Sequence, residues 1–504
     1  MGIQFFPRGG SAQVARYLLH ALRDAGWTVS LAAGSLGGRG LETNAATFFD
    51  GLDVYGVDYT AASGAFDAGD ATFAGDPMHP SYEDRPDVAD GLLAAVAAPL
   101  AARLAASWDV PFAYAGTALA DVVHLHHLTA QQDAVAKRWP HLPVVTHLHG
   151  TDLKFLEAVD ERIDVARALG HSLATMRWAA GDHLLDLGPL DDHQRELFAT
   201  TRWTEWCHGE HWRTRLTNQA QTADHLITVS PPDRETALAL FGIEPSRITA
   251  IPNGVETDRF APVQFSADER RARFRHWLVE DPQGWDCSSR PGSVAYTDAD
   301  LDRLLGVDGD NPVLIYVGRF TDAKRVPLLI RAFARARDRA PRPLSLIVWG
   351  GHPGEWEGEH PVDVARTVGD EGIYFAGWRG HRDLPAGLAA TDALVMPSVN
   401  DSFAQAALEA MAVGLPVLAT LSGGFPSMIN LDPARPTGWL IAPDDLDALT
   451  DALLHVVDDP VDLTRRGTFA LAHARASLSW TGRVPFFEQT YAQAIERRRR
   501  ANTA

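Results

Sequence analysis

Residues 396–420, MPSVNDSFAQAALEAMAVGLPVLAT, decide how the second half of the chain is built. The run DALVMPS that leads into them reads as a buried strand, and VND as a turn. The alanine-rich segment reads as a helix stopped by Gly414 and Pro416, and PVLAT as the next strand. Strand, turn, helix and strand in that order make the unit of a parallel sheet. The helix carries two acids eight positions apart: Asp401 in its entry loop, and Glu409 among Phe403, Ala404, Ala406, Ala407, Leu408, Ala410 and Met411. An acid that only solubilises a helix sits among other charges. Eight helical residues advance about 12 Å, so the two acids cannot grip one atom. With Asp401 in the loop and Glu409 on an inner face, they can hold opposite ends of one extended ligand. The first amides of the helix, around Ser402, Phe403, Ala404 and Gln405, would point at an anion or sugar between them.

The same scheme repeats outward in both directions. Downstream and upstream of that stretch, NPVLIYVGRF, LSLIVWGG, IYFAGW and GWLIAP read as strands, and VPLLIRAFARARDR as a helix striped by Val326, Leu329, Ile330 and Phe333. In the first half GIQFF, TVSLAAG, DVVHLHH, PVVTHLHG, HLITVS and ITAIPNG read as strands. QVARYLLHALRDAG reads as a helix with Val14, Tyr17, Leu18, Ala21 and Leu22 on its apolar face. The expectation is an α/β protein of two doubly wound, Rossmann-like domains facing a central cleft: residues 1–261, residues 262–480, and a last helix at 481–504. The join is expected in the polar stretch 262–310, where DPQGWDCSSRPGS looks like loop. Segments 60–120 and 151–222 read as insertions of the first domain.

Composition sets limits. With 504 residues the chain is too long for one ordinary core, and 46% hydrophobic against 22% charged residues describes a globular protein. A net charge of −20 opposes general affinity for nucleic acid or anionic lipid. Two cysteines, Cys207 and Cys287, make neither a disulfide framework nor a zinc spacing, which suits a reducing cytoplasm. The N-terminus shows no export signal, and the alanine-rich run 91–108, broken by Pro99 and Arg103, reads as a soluble helix and not a membrane span. The tail IERRRR reads as a solvated basic helix end. A homodimer is compatible with all of this.

In open parallel sheets ligands sit beyond the carboxyl ends of the strands, and the unusual residues gather there. PRGGSA follows the first strand, where Gly9 and Gly10 permit close backbone approach to a phosphate. RFTDAKR follows the strand VLIYVG and offers Arg319, Lys324 and Arg325 at a strand-to-helix turn. In so acidic a chain that cluster is a candidate diphosphate clamp. A nucleotide-sugar matches the whole layout: Glu409 for ribose hydroxyls, the helix amides and bases for diphosphate, Asp401 for a sugar hydroxyl.

Eight stretches in order carry a specific resemblance: PRGGSAQVARYLLHALRDAGW, DVVHLHH, VVTHLHGTD, ITVSPPDRETALALFGIEPSRITAIPNGVETDRF, YVGRFTDAKRVPLLIRAF, VWGGHPGEW, FAGWRGHRDLPAGLAATDALVMPS and the opening stretch. Together they resemble a retaining glycosyltransferase of family 4, with the two-Rossmann architecture called GT-B, over nearly the whole length. The resemblance implies that Glu409 meets the nucleotide ribose, Arg319 and Lys324 the leaving diphosphate, Gly9 and Gly10 the glycine turn, and His149 the donor sugar. It implies a last helix that returns to the first domain. One departure stands out: the family commonly has Glu and then a Pro-Phe-Gly-like run where this chain has DSFA, so Asp401 is one methylene short and Ala404 replaces glycine.

The implied reaction moves a hexose-type sugar, most readily from a UDP-sugar, to an acceptor hydroxyl with retention and without a metal or other cofactor. The acceptor classes are a small metabolite, a natural product or an envelope lipid. An epimerase or phosphorylase on the same fold and a non-catalytic sugar-nucleotide binder are the rival readings. His124, His126, His127, His147 and His149 crowd two strand ends, so a zinc or iron site is a rival for that region. The weak carboxylate supply there, beyond Asp152, and the resemblance both favour no metal.

Overall fold

The computed structural model describes residues 1–4, 10–41, 43–61, 80–84, 91–182, 184–306, 309–380 and 382–503. Gly9, part of the expected glycine turn, lies outside them. The short apolar runs become strands because each is flanked by turn residues and followed by a chain segment long enough to cross back as a helix. In the first half these are β1 (Gly2–Ile3), β2 (Leu31–Ser35), β3 (Val54–Asp58), β4 (Val123–His126), β5 (Val144–Leu148), β6 (His225–Thr228) and β7 (Ile248–Ala250). All pairings are parallel, in the order β3-β2-β1-β4-β5-β6-β7. In the second half β8 (Val313–Gly318), β9 (Ser345–Gly350), β10 (Ile373–Gly377), β11 (Ala393–Met396), β12 (Val417–Thr420) and β13 (Gly438–Ile441) form a second parallel sheet, β10-β9-β8-β11-β12-β13.

Each sheet reverses its winding once, between β1 and β4 in the first and between β8 and β11 in the second. Loops diverge there and leave room for a ligand. The helix Gly10–Asp24 buries Val14, Tyr17, Leu18 and Leu22, and the helix Val326–Arg339 buries Val326, Leu329, Ile330 and Phe333. Both stripes are the ones that 3.6-residue periodicity selects.

The chain divides into two compact units, Met1–Ile251 with Val484–Ala504, and Pro252–Arg483. The boundary therefore lies ten residues before the expected 261/262. The stretch 262–310 lies inside the second unit, with DPQGWDCSSRPGS irregular as expected. It holds the helices Ala267–Arg275 and Asp298–Leu305, and Trp285 between them is buried, donating to Gly351 O at 2.8 Å and stacking on Phe320. One aromatic anchor outweighs a dozen polar neighbours in placing a segment. Residues 151–222 fold as the helices Thr151–Ala168, Leu173–Ala179, Asp192–Thr200 and Gly209–Thr222.

The last helix, Trp480–Thr503, enters the first unit at Val484. There Glu488 accepts from Trp27 Nε1 at 2.9 Å, and Tyr491 meets His124. Its basic end is not merely solvated: Arg498 pairs with the Asp224 carboxylate at 2.8 Å and Arg497 donates to the Asp224 carbonyl. Among the described residues no helix is long and apolar enough to cross a membrane.

Candidate functional site

In the second unit three loops meet at the carboxyl ends of β8, β11 and β12. The loop after β8 turns through Asp322–Lys324 and Arg325, which adopts φ 53° before the helix starts at Val326. Val399 N donates to Ala323 O at 2.8 Å and ties this turn to the loop after β11. That loop reaches the helix Gln405–Val413 through Asn400, at φ 53°, and Asp401. The loop after β12 closes the group: Gly424 N donates to Asp401 O at 2.8 Å. Gly423 sits at φ 57°, and a Cβ on it would lie 2.1 Å from Asp401 O, so no other residue fits.

The side chains follow from this frame. Lys324 and Asp401 form an ion pair, with their side chains 20% and 14% exposed. The expected diphosphate ligand and the expected sugar ligand therefore engage one another directly, across adjacent strands at the winding reversal. Arg319 is exposed at the end of β8, its carbonyl accepting from Tyr316 Oη at 2.7 Å. Burial holds the Tyr316 phenol well above its ordinary range; Asp401 adds to the shift and Arg319 opposes it. Arg325 is committed elsewhere, to Asp444 at 2.6 Å and Asp322 at 2.9 Å.

Ala404 is the N-cap of the helix Gln405–Val413 and offers no side-chain cap, so the opening amides keep their donor capacity. Ser402 is half-buried, while Phe403 and Ala404 are buried. Gln405 Nε2 donates to Gly254 O at 2.9 Å, and its Oε1 is buried without a partner. Glu409, in the second turn, is 2% exposed, and its Oε1 also has no partner. Burial pushes its carboxyl up to about 8, with Arg259 pulling the other way. The acid is thus held in store for a donor that the protein itself does not supply.

In the first unit the carboxyl ends of β4 and β5 carry rings instead of charges. His126 and His147 are register partners, and the strand period of two puts His124 beside His126 and His149 beside His147. The rings stack: His124 on His126 at 4.8 Å, His126 on His147 at 5.2 Å, His147 on His149 at 4.4 Å. His149 Nε2 lies 2.8 Å from His126 Nδ1. Burial, with neighbouring rings adding to it, holds His124, His126 and His149 well below the ordinary range, and His147 down to about 3. All four are neutral.

Asp152 is the organising group there and was undervalued in the sequence. It is fully buried and accepts from Leu128 N at 2.8 Å, His149 N at 3.2 Å and His127 Nδ1 at 2.9 Å. Burial raises its carboxyl, but His127 and these hydrogen bonds outweigh that and leave it lowered. Its signal was available: an acid four residues past a strand end, in the first turn of a helix. Over it lies Tyr82, stacked on His127 and donating to Leu128 O. Gly10 begins its helix and is exposed. Gln405, Gly423 and Arg259 complete the second unit's site; the dipeptide Gly423–Gly424 after a strand was the legible cue for that closing loop.

A model of Glycosyltransferase Family 4 matches residues 8–259, and one of glycosyl transferases group 1 matches 311–459. The D-inositol 3-phosphate glycosyltransferase of Streptomyces griseus subsp. griseus is 29% identical over 293 residues, 56% of this chain and 57% of the relative. That of Corynebacterium diphtheriae is 32% identical over 276 residues, 54% and 56%. The aligned part spans little more than half the length of these curated relatives. Among solved structures, sucrose-phosphate synthase from Thermosynechococcus elongatus is similar with TM-score 0.57 at 18% identity, covering 97% of this chain and 94% of that one. A glycosyltransferase from Rickettsia africae gives 0.58 at 13%, covering 98% and 97%. Anabaena HepE in complex with UDP gives 0.56 at 15%, covering 97% and 98%. At such identities the likeness speaks for fold alone, and the fold is GT-B. With the two parallel sheets and a family match over half its residues, the chain belongs to glycosyltransferase family 4.

Proposed function

We propose that the chain moves a hexose from a nucleotide-sugar, a UDP-sugar first, to an acceptor hydroxyl with retention of configuration and without a metal ion at the reacting centre. The observation that carries this reading is Glu409: a buried acid with an unpartnered oxygen, in the second turn of a helix whose amides have no side-chain cap. Vicinal hydroxyls of a ribose supply the donors it lacks. Arg319, Lys324 and the opening amides of the helix take the diphosphate, and Gly9 and Gly10 keep the donor-phosphate role that the family resemblance implies. In the resting protein Asp401 holds Lys324, so an arriving phosphate competes with a carboxylate for the same ammonium.

Cleavage of the anomeric carbon–oxygen bond leaves an oxocarbenium-like sugar and a growing negative charge on the diphosphate. Lys324 and Arg319 stabilise that charge as it develops. Asp401, released from Lys324, accepts from a sugar hydroxyl, and His149 keeps the donor-sugar role that the family resemblance implies. The acceptor attacks from the face the leaving group departs, and the departing phosphate takes the acceptor's proton, which accounts for retention without a carboxylate nucleophile beneath the ring.

The HepE structure was solved with UDP, which supports starting with uridine donors. The relatives' name makes D-inositol 3-phosphate the first acceptor to try. The test incubates the full chain with UDP-, GDP- and ADP-sugars, with and without acceptor, and follows free nucleoside diphosphate and the anomeric configuration of the product. Acceptor-dependent release supports transfer, and undiminished turnover in EDTA supports the metal-free centre. Epimerised donor, or donor binding with no release, overturns the reading.

A further inference from the structure

Buried polar atoms in folded proteins almost always have hydrogen-bond partners. At the ends of β4 and β5 three ring nitrogens break that rule together: His124 Nε2, His147 Nδ1 and His147 Nε2 are sealed from solvent and unpartnered. His124, His126 and His147 are 3%, 0% and 0% exposed. One nitrogen from each ring lies within 4.8 Å of one from each of the others. None of these three side chains has a role in the glycosyl transfer proposed above, so their arrangement stands apart from that reading.

We propose that His124, His126 and His147 bind a single soft transition-metal ion, copper(I) in preference to zinc, with Met1 Sδ as a fourth donor. The donor chemistry fits. His124 Nε2 and both ring nitrogens of His147 have no hydrogen-bond partner and so are open to an ion. The surroundings of the rings fit as well. A ligating histidine normally has its other ring nitrogen held by a hydrogen bond, which orients the ring. Here His124 Nδ1 lies 2.7 Å from Tyr491 Oη, and His126 Nδ1 lies 2.8 Å from His149 Nε2. The remaining nitrogen of His126, Nε2, is 3.1 Å from Met1 Sδ. A thioether has no proton to donate, so an ion between the two gives both lone pairs a common target.

Charge selects the metal. The set contains no thiolate and no carboxylate; the nearest acid, Asp152, is fully engaged by His127, Leu128 and His149. A divalent ion buried among four neutral donors keeps two uncompensated charges, a monovalent ion only one. Thioether sulfur favours copper(I), while imidazole suits copper and zinc alike. Tetrahedral coordination at about 2.0–2.1 Å puts ligand nitrogens about 3.3 Å apart, so binding draws the rings together by up to roughly 1.5 Å. Metal on His126 Nε2 also leaves the proton on Nδ1, which then donates to His149 Nε2 and fixes the tautomer of that residue.

The full chain, reduced and anaerobic, is titrated with copper(I) against a chromophoric copper(I) chelator, and in parallel with zinc against a zinc indicator. One equivalent of copper(I), weakened tenfold or more in His124→Gln and in His147→Gln, is the expected result; both variants are first checked for an unchanged thermal transition. X-ray absorption at the copper edge of the unmodified protein, which needs no variant, should give three nitrogens near 2.0 Å and one sulfur. No stoichiometric copper, uptake equal in the variants, an oxygen-dominated shell, or zinc bound in preference to copper each overturns the proposal.

Discussion

The ends of β4 and β5 and the ends of β8 and β11 both lie at or next to the winding reversal of their sheets, yet they are furnished in opposite ways. In the first unit the chemistry sits on the strands themselves. Four neutral rings at every second position stack within 4.4 to 5.2 Å, and one buried carboxylate takes three hydrogen bonds. In the second it sits on loops and a helix, with an exposed arginine, an ion pair and a buried acid lacking a partner. Winding decides where a ligand can enter. Whether the groups there stand on strands or loops decides whether they are fixed or can exchange partners. The first set is positioned by backbone ladders; the second is free to trade Asp401 for a phosphate on Lys324.

The largest effect should come from the exchangeable side. Lys324→Ala is expected to cost about 3 kcal/mol in transition-state stabilisation, more than a hundredfold in kcat/KM. Because the pair it removes is partly exposed, folding stability should move by no more than about 1 kcal/mol. A variant with near-native turnover removes Lys324 from the diphosphate. On the fixed side the pattern reverses. Asp152→Ala leaves the Leu128 and His149 amides without an acceptor, about 2 kcal/mol of local stability, and amide exchange across 123–128 should accelerate roughly thirtyfold. Unchanged protection there breaks the contrast between the two regions. Smaller again is Asp401→Asn, which releases Lys324: calorimetry should find bare UDP bound severalfold tighter, about 1 kcal/mol, with no gain in transfer. Weaker UDP binding would mean that Asp401 orders the site and does not compete for it.

How legible the two regions were in the sequence follows the same division. The strands and both apolar stripes could be read because they repeat at 2.0 and 3.6 residues. Asp401 and Glu409 could be read because acids are rare among alanines. The ion pair between Lys324 and Asp401 could not: it joins residues 77 apart through a strand pairing, β8 with β11, that periodicity does not specify. DPQGWDCSSRPGS could be read as loop, but the two short polar helices around it could not, and what anchors the segment is Trp285 stacked on Phe320, a tertiary contact. β3 escaped because three of its five residues are exposed, and Gly56 breaks the apolar run. Asp152 was visible as a residue but not as a hub, since its partners lie on the two loops that follow β4 and β5.

The finest test of the comparison is the proton on Glu409. Its carboxyl titrates at about 8 in the folded chain, against about 4.3 for an unperturbed glutamate. Between those values the unfolded chain has released a proton that the folded chain keeps. Stability contributed by this group therefore falls as pH rises, by at most about 1.4 kcal/mol per unit, and levels off above about 8. Ligand binding has the opposite sign. A carboxylate accepts ribose hydroxyls more strongly than a carboxylic acid does, so nucleoside binding favours the ionised form and expels a proton. Uridine, which carries no phosphate to confuse the titration, should bind more tightly as pH rises toward 8. At pH 7 calorimetry in buffers of different ionisation enthalpy should detect close to one proton released. Glu409→Gln should bind less well, release none and lose this group's share of the pH slope in stability across the same interval. If the unmodified chain binds a nucleoside without releasing a proton, the ribose lies elsewhere and the unpartnered oxygen of Glu409 needs another explanation.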